Sequence, residues 1–187
     1  MSEKPRGPRP HVIAALALAV SVSPALLLAG EPTVPTVPPA EGQAAIVYPV
    51  PDLNGRLVDL GTELKGNVSL ITFWTSWCSP CVQEMPRLRA IARTHRGKGV
   101  VVVGIGLREG GDTAAKQAQT AGRQLVNYLL LFDKDGLFQA AYGLRSVPHN
   151  LLVGADGKVR WQGADLPDDL ESKIQALLAE AAGGSRG

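Results

Sequence analysis

The chain has 187 residues, a net charge of +2, 45% hydrophobic and 19% charged residues, and two cysteines. That length and apolar content suit one domain with its own core, and the composition excludes collagen-like, disulfide-rich and wholly disordered classes. Cys78 and Cys81 are three apart, so a bridge between them closes too small a loop to stabilise the fold by chain entropy.

In chain order, the first feature is a leader. Lys4, Arg6 and Arg9 form a basic head, and Val12 to Gly30 then runs nineteen residues without a charge. A positive head before such a run reads as an export signal or a membrane anchor, and nineteen residues approach the ~20 that span a bilayer as a helix. Residues 1–30 are therefore a cleaved signal or a retained anchor. Either way the rest of the chain is expected in the periplasm or on the extracytoplasmic face of the cell membrane. Ten of the fourteen prolines lie in the first 51 residues, and residues 31–45, with the string TVPTVPP, read as an extended tether. Beyond residue 30 the chain carries sixteen basic and sixteen acidic residues. It has no basic stripe, so nucleic acid is not an expected partner.

The domain itself is expected over residues 46–182, with a short tail at 183–187. Pro51 to Leu60 has apolar residues on both sides of Asn54-Gly55, a strong hairpin-turn signal. The apolar runs Val68–Trp74 and Val100–Leu107 read as buried central strands. Between them, Val82, Met85, Leu88 and Ile91 recur at helical spacing, which predicts a helix from Cys78 to about His95 with a kink at Pro86. Asp112 is a candidate N-cap for a helix running to about Leu125. Leu129–Phe132 suggests a short strand and Leu137–Tyr142 a short helix. Asn150–Val153 and Val159–Gln162 flank a turn at Ala155-Asp156-Gly157, a second hairpin. Asp168 or Asp169 would cap a last amphipathic helix ending at Gly183-Gly184. Parallel βαβ units followed by a hairpin and a covering helix make an α/β sandwich around one mixed sheet.

The chemistry sits at Trp77-Cys78-Ser79-Pro80-Cys81. A structural zinc site needs four ligands, and there is no second cysteine pair. A CxxC directly after an apolar strand and opening a helix is instead the arrangement of a redox dithiol. At a helix N-terminus the unpaired N–H groups and the macrodipole favour a thiolate on Cys78. One turn later, Cys81 can attack a mixed disulfide formed there. Cys78 is thus expected as an exposed nucleophile and Cys81 as the resolving thiol. Pro80 costs little, because a first-turn N–H has no helical partner to lose.

The stretch FWTSWCSPCVQEMP, Phe73 to Pro86, is similar to the active-site segment of thioredoxin-fold thiol–disulfide oxidoreductases, and most resembles the periplasmic or membrane-anchored TlpA/ResA-like branch. The resemblance covers about residues 46–182 and includes the opening hairpin, the Trp-Cys-x-Pro-Cys string, the Glu-x-Pro after it, and Val147-Pro148. It implies a thioredoxin fold, with a central mixed sheet flanked by helices and an added N-terminal hairpin. It also implies that Pro148 is a cis-proline facing the dithiol and that Val147 offers backbone groups to an incoming peptide. Glu84 matches the acid of this branch, as a proton relay to Cys81 or simply as a solvated helix residue. Thr72 stands where thioredoxin has a buried aspartate, which leaves Glu84 as the better relay candidate. His149 departs from the branch pattern, and biasing the thiolate, touching substrate and merely starting a strand all stay open for it. Trp74 and Trp77 would frame the site, with Trp77 also able to touch substrate.

The expected function is an extracytoplasmic thiol–disulfide oxidoreductase that reduces client disulfides and needs no cofactor beyond the Cys78–Cys81 pair. Its expected partners are client proteins with disulfides, a membrane thiol electron donor and, through the leader, the membrane. By resemblance, cytochrome c maturation and copper-site assembly supply the clients. The alternatives are a Cu(I) metallochaperone holding the metal with Cys78, Cys81 and His149 and a thioredoxin-fold peroxidase, whose pattern lacks WCxPC.

Overall fold

The structure, a computed structural model, describes residues 37–184. The expected signal or anchor at 1–30 lies outside the described residues. Among those described, no helix is long and apolar enough to cross a membrane.

Among the described residues, seven strands and five helices follow one another. β1 (Pro49–Pro51) and β2 (Leu57–Asp59) form the antiparallel hairpin predicted from Asn54-Gly55. Asp52 closes its turn by accepting from the N–H groups of Asn54 and Arg56, and Gly55 supplies the positive φ of 87° that the turn requires. A five-residue helix, α1 (Leu60–Leu64), follows with Asp59 as its N-cap. It is too short for a periodic signal and was not expected. β3 (Val68–Trp74) and β4 (Val100–Leu107) have the predicted bounds. α2 (Ser79–Thr94) joins them and continues through Pro86. Pro86 stands on the exposed side, where water can serve the carbonyl that loses its helical donor. After α3 (Ala114–Arg123) come β5 (Leu129–Asp133), α4 (Leu137–Ala141), β6 (His149–Val153), β7 (Val159–Gly163) and α5 (Leu170–Gly184).

The helix cap expected at Asp112 is Thr113, whose hydroxyl accepts from Lys116 N–H. Asp112 turns inward instead and is 2% exposed. At α5, the Asp169 carbonyl accepts from Lys173 N–H, which puts Asp169 at the cap position.

The main sheet has the order β5-β4-β3-β6-β7. β3, β4 and β5 are parallel, whereas β6 and β7 are antiparallel to their neighbours. All seven residues of β3 are buried, as a strand covered on both faces must be. On one face Ile71, Phe73, Ile105 and Leu151 pack with the hairpin, α1 and α4. On the other, Val68, Leu70, Val102 and Leu152 meet Leu88 and Ile91 of α2 and Leu170 and Ile174 of α5. Because β6 runs against β3, its first residue, His149, pairs with Phe73 near the end of β3. That register brings Pro148 beside the strand-to-helix junction that carries the cysteines.

The end of the expected tether packs onto the domain. Gly42 N–H donates to the Val159 carbonyl, Val159 N–H to Gln43, and Ala45 N–H to Gly157. The Tyr142 hydroxyl both accepts from Ile46 N–H and donates to the Ile46 carbonyl. Burial pushes this phenol above its ordinary range, so it serves as a neutral clamp.

Phe73 is fully buried and touches the rings of Phe138, Tyr142 and His149. Replacing it with alanine leaves a cavity across two layers. Phe73→Ala is expected to cost about 3–5 kcal/mol, read as a lower urea midpoint with an unchanged denaturant slope.

Candidate active site

The site is assembled where β3 ends and α2 begins. Thr75, Ser76 and Trp77 span the gap, and Cys78 is the N-cap of α2. A cap side chain normally offers an oxygen; here the Cys78 sulfur accepts from Cys81 N–H at 3.2 Å. Pro80, with no N–H, occupies the first turn, so within that turn it is the Cys81 N–H that is directed at the sulfur. In the reduced protein such a position stabilises a thiolate by ~0.3–1 kcal/mol, and by up to ~2 kcal/mol when partly buried. At about 1.36 kcal/mol per pH unit, that is enough to bring a thiol down from ~8.5 towards neutrality.

Cys78 and Cys81 are joined by a disulfide, with their Cα atoms 5.3 Å apart. The pair packs in a small cluster with Trp74 and Met85, against which Val126, Leu130 and Val147 lie. Cys78 is 4% exposed and Cys81 3%. The nucleophile expected to stand exposed is therefore nearly covered in the oxidised protein, because it packs within this apolar cluster.

Val147–Pro148 is a cis peptide bond, and Val147 touches the disulfide cluster. The backbone N–H and C=O of Val147 have no hydrogen-bond partner among the described residues. Trp77 is 55% exposed, yet its indole N–H donates to the Glu109 carbonyl at 3.1 Å. Its ring is thus a fixed apolar surface beside the pair. Trp74 is buried within the cluster, which is the framing role expected of it.

Glu84 follows Cys81 by three residues on α2, one turn along the same face. It is half-buried, and its two carboxylate oxygens are separately engaged. Oε1 accepts from Leu166 N–H at 2.8 Å and Oε2 from Asn150 Nδ2 at 3.2 Å. Burial holds this carboxyl above the ordinary glutamate range, against the two hydrogen bonds that favour its charge. Glu84 is therefore not a simply solvated helix residue. The neighbouring Tyr128 phenol is pushed up as well, by burial first and then by the charge on Glu84. Asn150, fully buried, spends its other proton on the Ala164 carbonyl. Arg87 holds the adjoining loop through the carbonyls of Leu166 and Pro167. Neither Asn150 nor Arg87 carries a local motif; only the β6 register, which sets Asn150 opposite Thr72, brings the first of them to Glu84.

His149 points elsewhere. Its ring centre lies 6.2 Å from that of Phe73, on the sheet face opposite Asn150 and Leu152. Burial lowers its pKa below 6.5, against a hydrogen bond with Gln162 that favours its charged form, so the ring is neutral at neutral pH and brings no positive charge to the thiolate. Among the described residues, no three His, Cys, Asp or Glu side chains form a metal-binding group, and the Cys78, Cys81 and His149 copper set is not assembled.

The family model described as Redoxin matches residues 31–178. The thiol-disulfide oxidoreductase ResA of Bacillus thuringiensis (strain Al Hakam) is 29% identical over 138 residues, covering 73% of this chain and 78% of that protein. ResA of Geobacillus thermodenitrificans is 26% identical over 140 residues, 74% of this chain and 78% of the relative. Among solved structures, one described as the thiol:disulfide interchange protein DsbE from Chlorobium tepidum superposes with a TM-score of 0.65 at 28% identity, covering 76% of this chain and 99% of the other. A secreted Mycobacterium tuberculosis disulfide oxidoreductase homologous to E. coli DsbE gives 0.59 at 28% identity, with 70% and 96% covered.

Because the folded protein holds the Glu84 proton to higher pH than the unfolded chain, the folded state binds more protons between the two pKa values. Stability is therefore expected to fall as pH rises from the ordinary glutamate range, ~4.3, through the raised folded value. Urea midpoints measured across that window should drop for the native protein and drop less for Glu84→Gln.

Proposed function

The chain belongs to the Redoxin family and is a thiol–disulfide oxidoreductase of thioredoxin fold, and on that premise we propose that it reduces client disulfides outside the cytoplasm. The observation that carries the reading is the sulfur N-cap. Cys78 is the cysteine whose thiolate the helix N-terminus favours, and Cys81 is the partner one turn behind it.

The reaction runs as two exchanges. The Cys78 thiolate attacks one sulfur of a client disulfide; that S–S bond breaks and the other client sulfur leaves as a thiolate. Cys81 then loses its proton, attacks the Cys78 sulfur and releases the second client thiolate. Two electrons pass to the client, and the Cys78–Cys81 disulfide is what remains. Glu84, one turn from Cys81 and held above the usual carboxylate range by burial, takes the Cys81 proton. Asn150 and the Leu166 N–H hold that carboxylate in place.

The client enters as an added strand. The free N–H and C=O of Val147 pair with it, Pro148 sits against its disulfide, and Trp77 supports the segment on its exposed ring. The buried, covered sulfurs support such docking, because a peptide laid along Val147 can displace the side chains that shield them.

An extracytoplasmic place is supported by the basic head and apolar run of residues 1–30 and by the secreted M. tuberculosis neighbour. Compartments outside the cytoplasm oxidise thiols by default, so a reductant there draws electrons from a membrane thiol donor. Apocytochrome c or a copper-site protein of oxidase assembly then supplies the client disulfide.

The Cys78–Cys81 reduction potential decides the direction. A value near ~−270 mV or lower is expected for a reductant, and one near ~−120 mV would make the protein a disulfide donor instead. Cys81→Ser is expected to accumulate a client mixed disulfide that a reductant cleaves, whereas Cys78→Ser forms none and loses client reduction.

A further inference from the structure

The two residues before Cys78 are tied to one short segment between β4 and α3. Trp77 is held by the Glu109 carbonyl. Ser76 is held twice by Asp112: its N–H donates to Oδ2 at 2.6 Å and its hydroxyl to Oδ1 at 2.5 Å. Asp112 also accepts from Thr113 N–H and from Gln117 Nε2, each at 3.0 Å. Four donors converge on a carboxylate that is 2% exposed, the pattern of an acceptor-only, ionised group.

The support behind Asp112 is rigid. Gln117 is fully buried, and its Nε2 also donates to the Leu107 carbonyl at 3.2 Å. Its carboxamide lies against Gly106, where a Cβ would overlap it. Gly106 in turn pairs with Trp74, the last residue of β3. The path from the sheet runs through Gly106 and Leu107 to Gln117, then Asp112, then Ser76, two residues from the nucleophile.

We propose that Asp112 is the positioning residue of this site: through Ser76 it fixes the approach to Cys78, and its buried charge makes the Cys78 thiol less acidic and the dithiol a stronger reductant. Asp112 Oδ2 is 2.6 Å from the Ser76 nitrogen, and Ser76 is two residues from Cys78, so the charge sits on the short turn that carries the nucleophile. A nearby negative charge disfavours a thiolate, and a dithiol whose reduced form is less stabilised has a lower potential. Asp112 thus opposes the helix N-terminus. The other ionisable groups on the flanking elements include Glu84, Arg87 and Arg89 of α2, His149 of β6, Arg123 of α3, and Arg108, Glu109 and Lys116 around Asp112. Lys116 spends its ammonium on the Gly111 carbonyl.

The inference rests on the dithiol chemistry of Cys78 and Cys81 and is independent of which client is reduced. Its test is a pair of substitutions with opposite expected signs. Asp112→Asn removes the charge, so Cys78 should alkylate with an apparent acidity at least threefold higher. The equilibrium with glutathione should shift at least threefold towards the reduced protein, about 14 mV at 29.6 mV per tenfold. Ser76→Ala keeps the charge but removes one donor that neutralises it, so Cys78 should become less acidic and the potential lower. Asp135→Asn, an exposed carboxylate removed from this network, controls for net charge and should move neither reading. A purely structural Asp112 would give two variants that lose stability with Cys78 acidity unmoved or moved in one direction, and that result overturns the proposal. Ser76→Ala alone, should Asp112→Asn fail to fold, still overturns it by leaving acidity unchanged or raising it. A native protein with no dithiol exchange at all would instead overturn the oxidoreductase reading beneath it.

Discussion

Hydrogen bonding on both edges and burial on both faces of β3 hold the whole site. Parallel β4 and antiparallel β6 flank this strand, and every one of its residues is covered. Its final residues therefore have little freedom, and the turn into α2 starts from a fixed point. The antiparallel partner brings Pro148 to that point from one side, and the parallel partner brings the Asp112 segment from the other. A site whose parts come from the ends of packed strands is better defined than one built on loops alone. Here the loops are short and anchored, and the reactive sulfur inherits the rigidity of the sheet.

Around that sulfur the polar groups are arranged by sign. The helix N-terminus favours the Cys78 thiolate, while two carboxylates, Glu84 and Asp112, lie on different sides of the junction. Their environments differ. Glu84 is half-buried with two donors, and burial raises its pKa; Asp112 is almost wholly buried and has four. One carboxyl is thus suited to exchanging a proton and the other to holding a charge. Environment, and not residue type, separates the two roles.

The sequence made much of this legible. The apolar runs of β3 and β4 gave their bounds directly, since strands buried on both faces carry an unbroken apolar signal. The Trp-Cys-x-Pro-Cys string located the pair, and the Asn54-Gly55 and Asp156-Gly157 turns located both hairpins. What was hidden depended on packing between distant segments. Asp112 looks like a helix cap because Asp is a common one; Thr113 beside it is equally capable, and only the Ser76 donors 36 residues away draw Asp112 inward. Asn150 has no local mark and acquires meaning from the β6 register. α1 has five residues around Gly61, too few to show a helical period. The covering of Cys78 comes from its apolar cluster, which includes Trp74, Met85 and Val147, side chains whose approach no spacing rule reports.

The pairing of residues 42–45 with the start of β7 has a further consequence for self-association. An open strand edge invites pairing with a second copy of the chain. The start of the β7 edge is occupied by this segment through the Ala44–Lys158 bridge, and the opposite edge, β5, is bridged at Leu131 by Asp52 just after β1. The same stretch of chain, from Gly42 to Asp52, thus covers one point on each border of the sheet. Val147, beside the disulfide, keeps an N–H and a C=O without a partner among the described residues, so a foreign strand that pairs there does so where adhesion ends in chemistry.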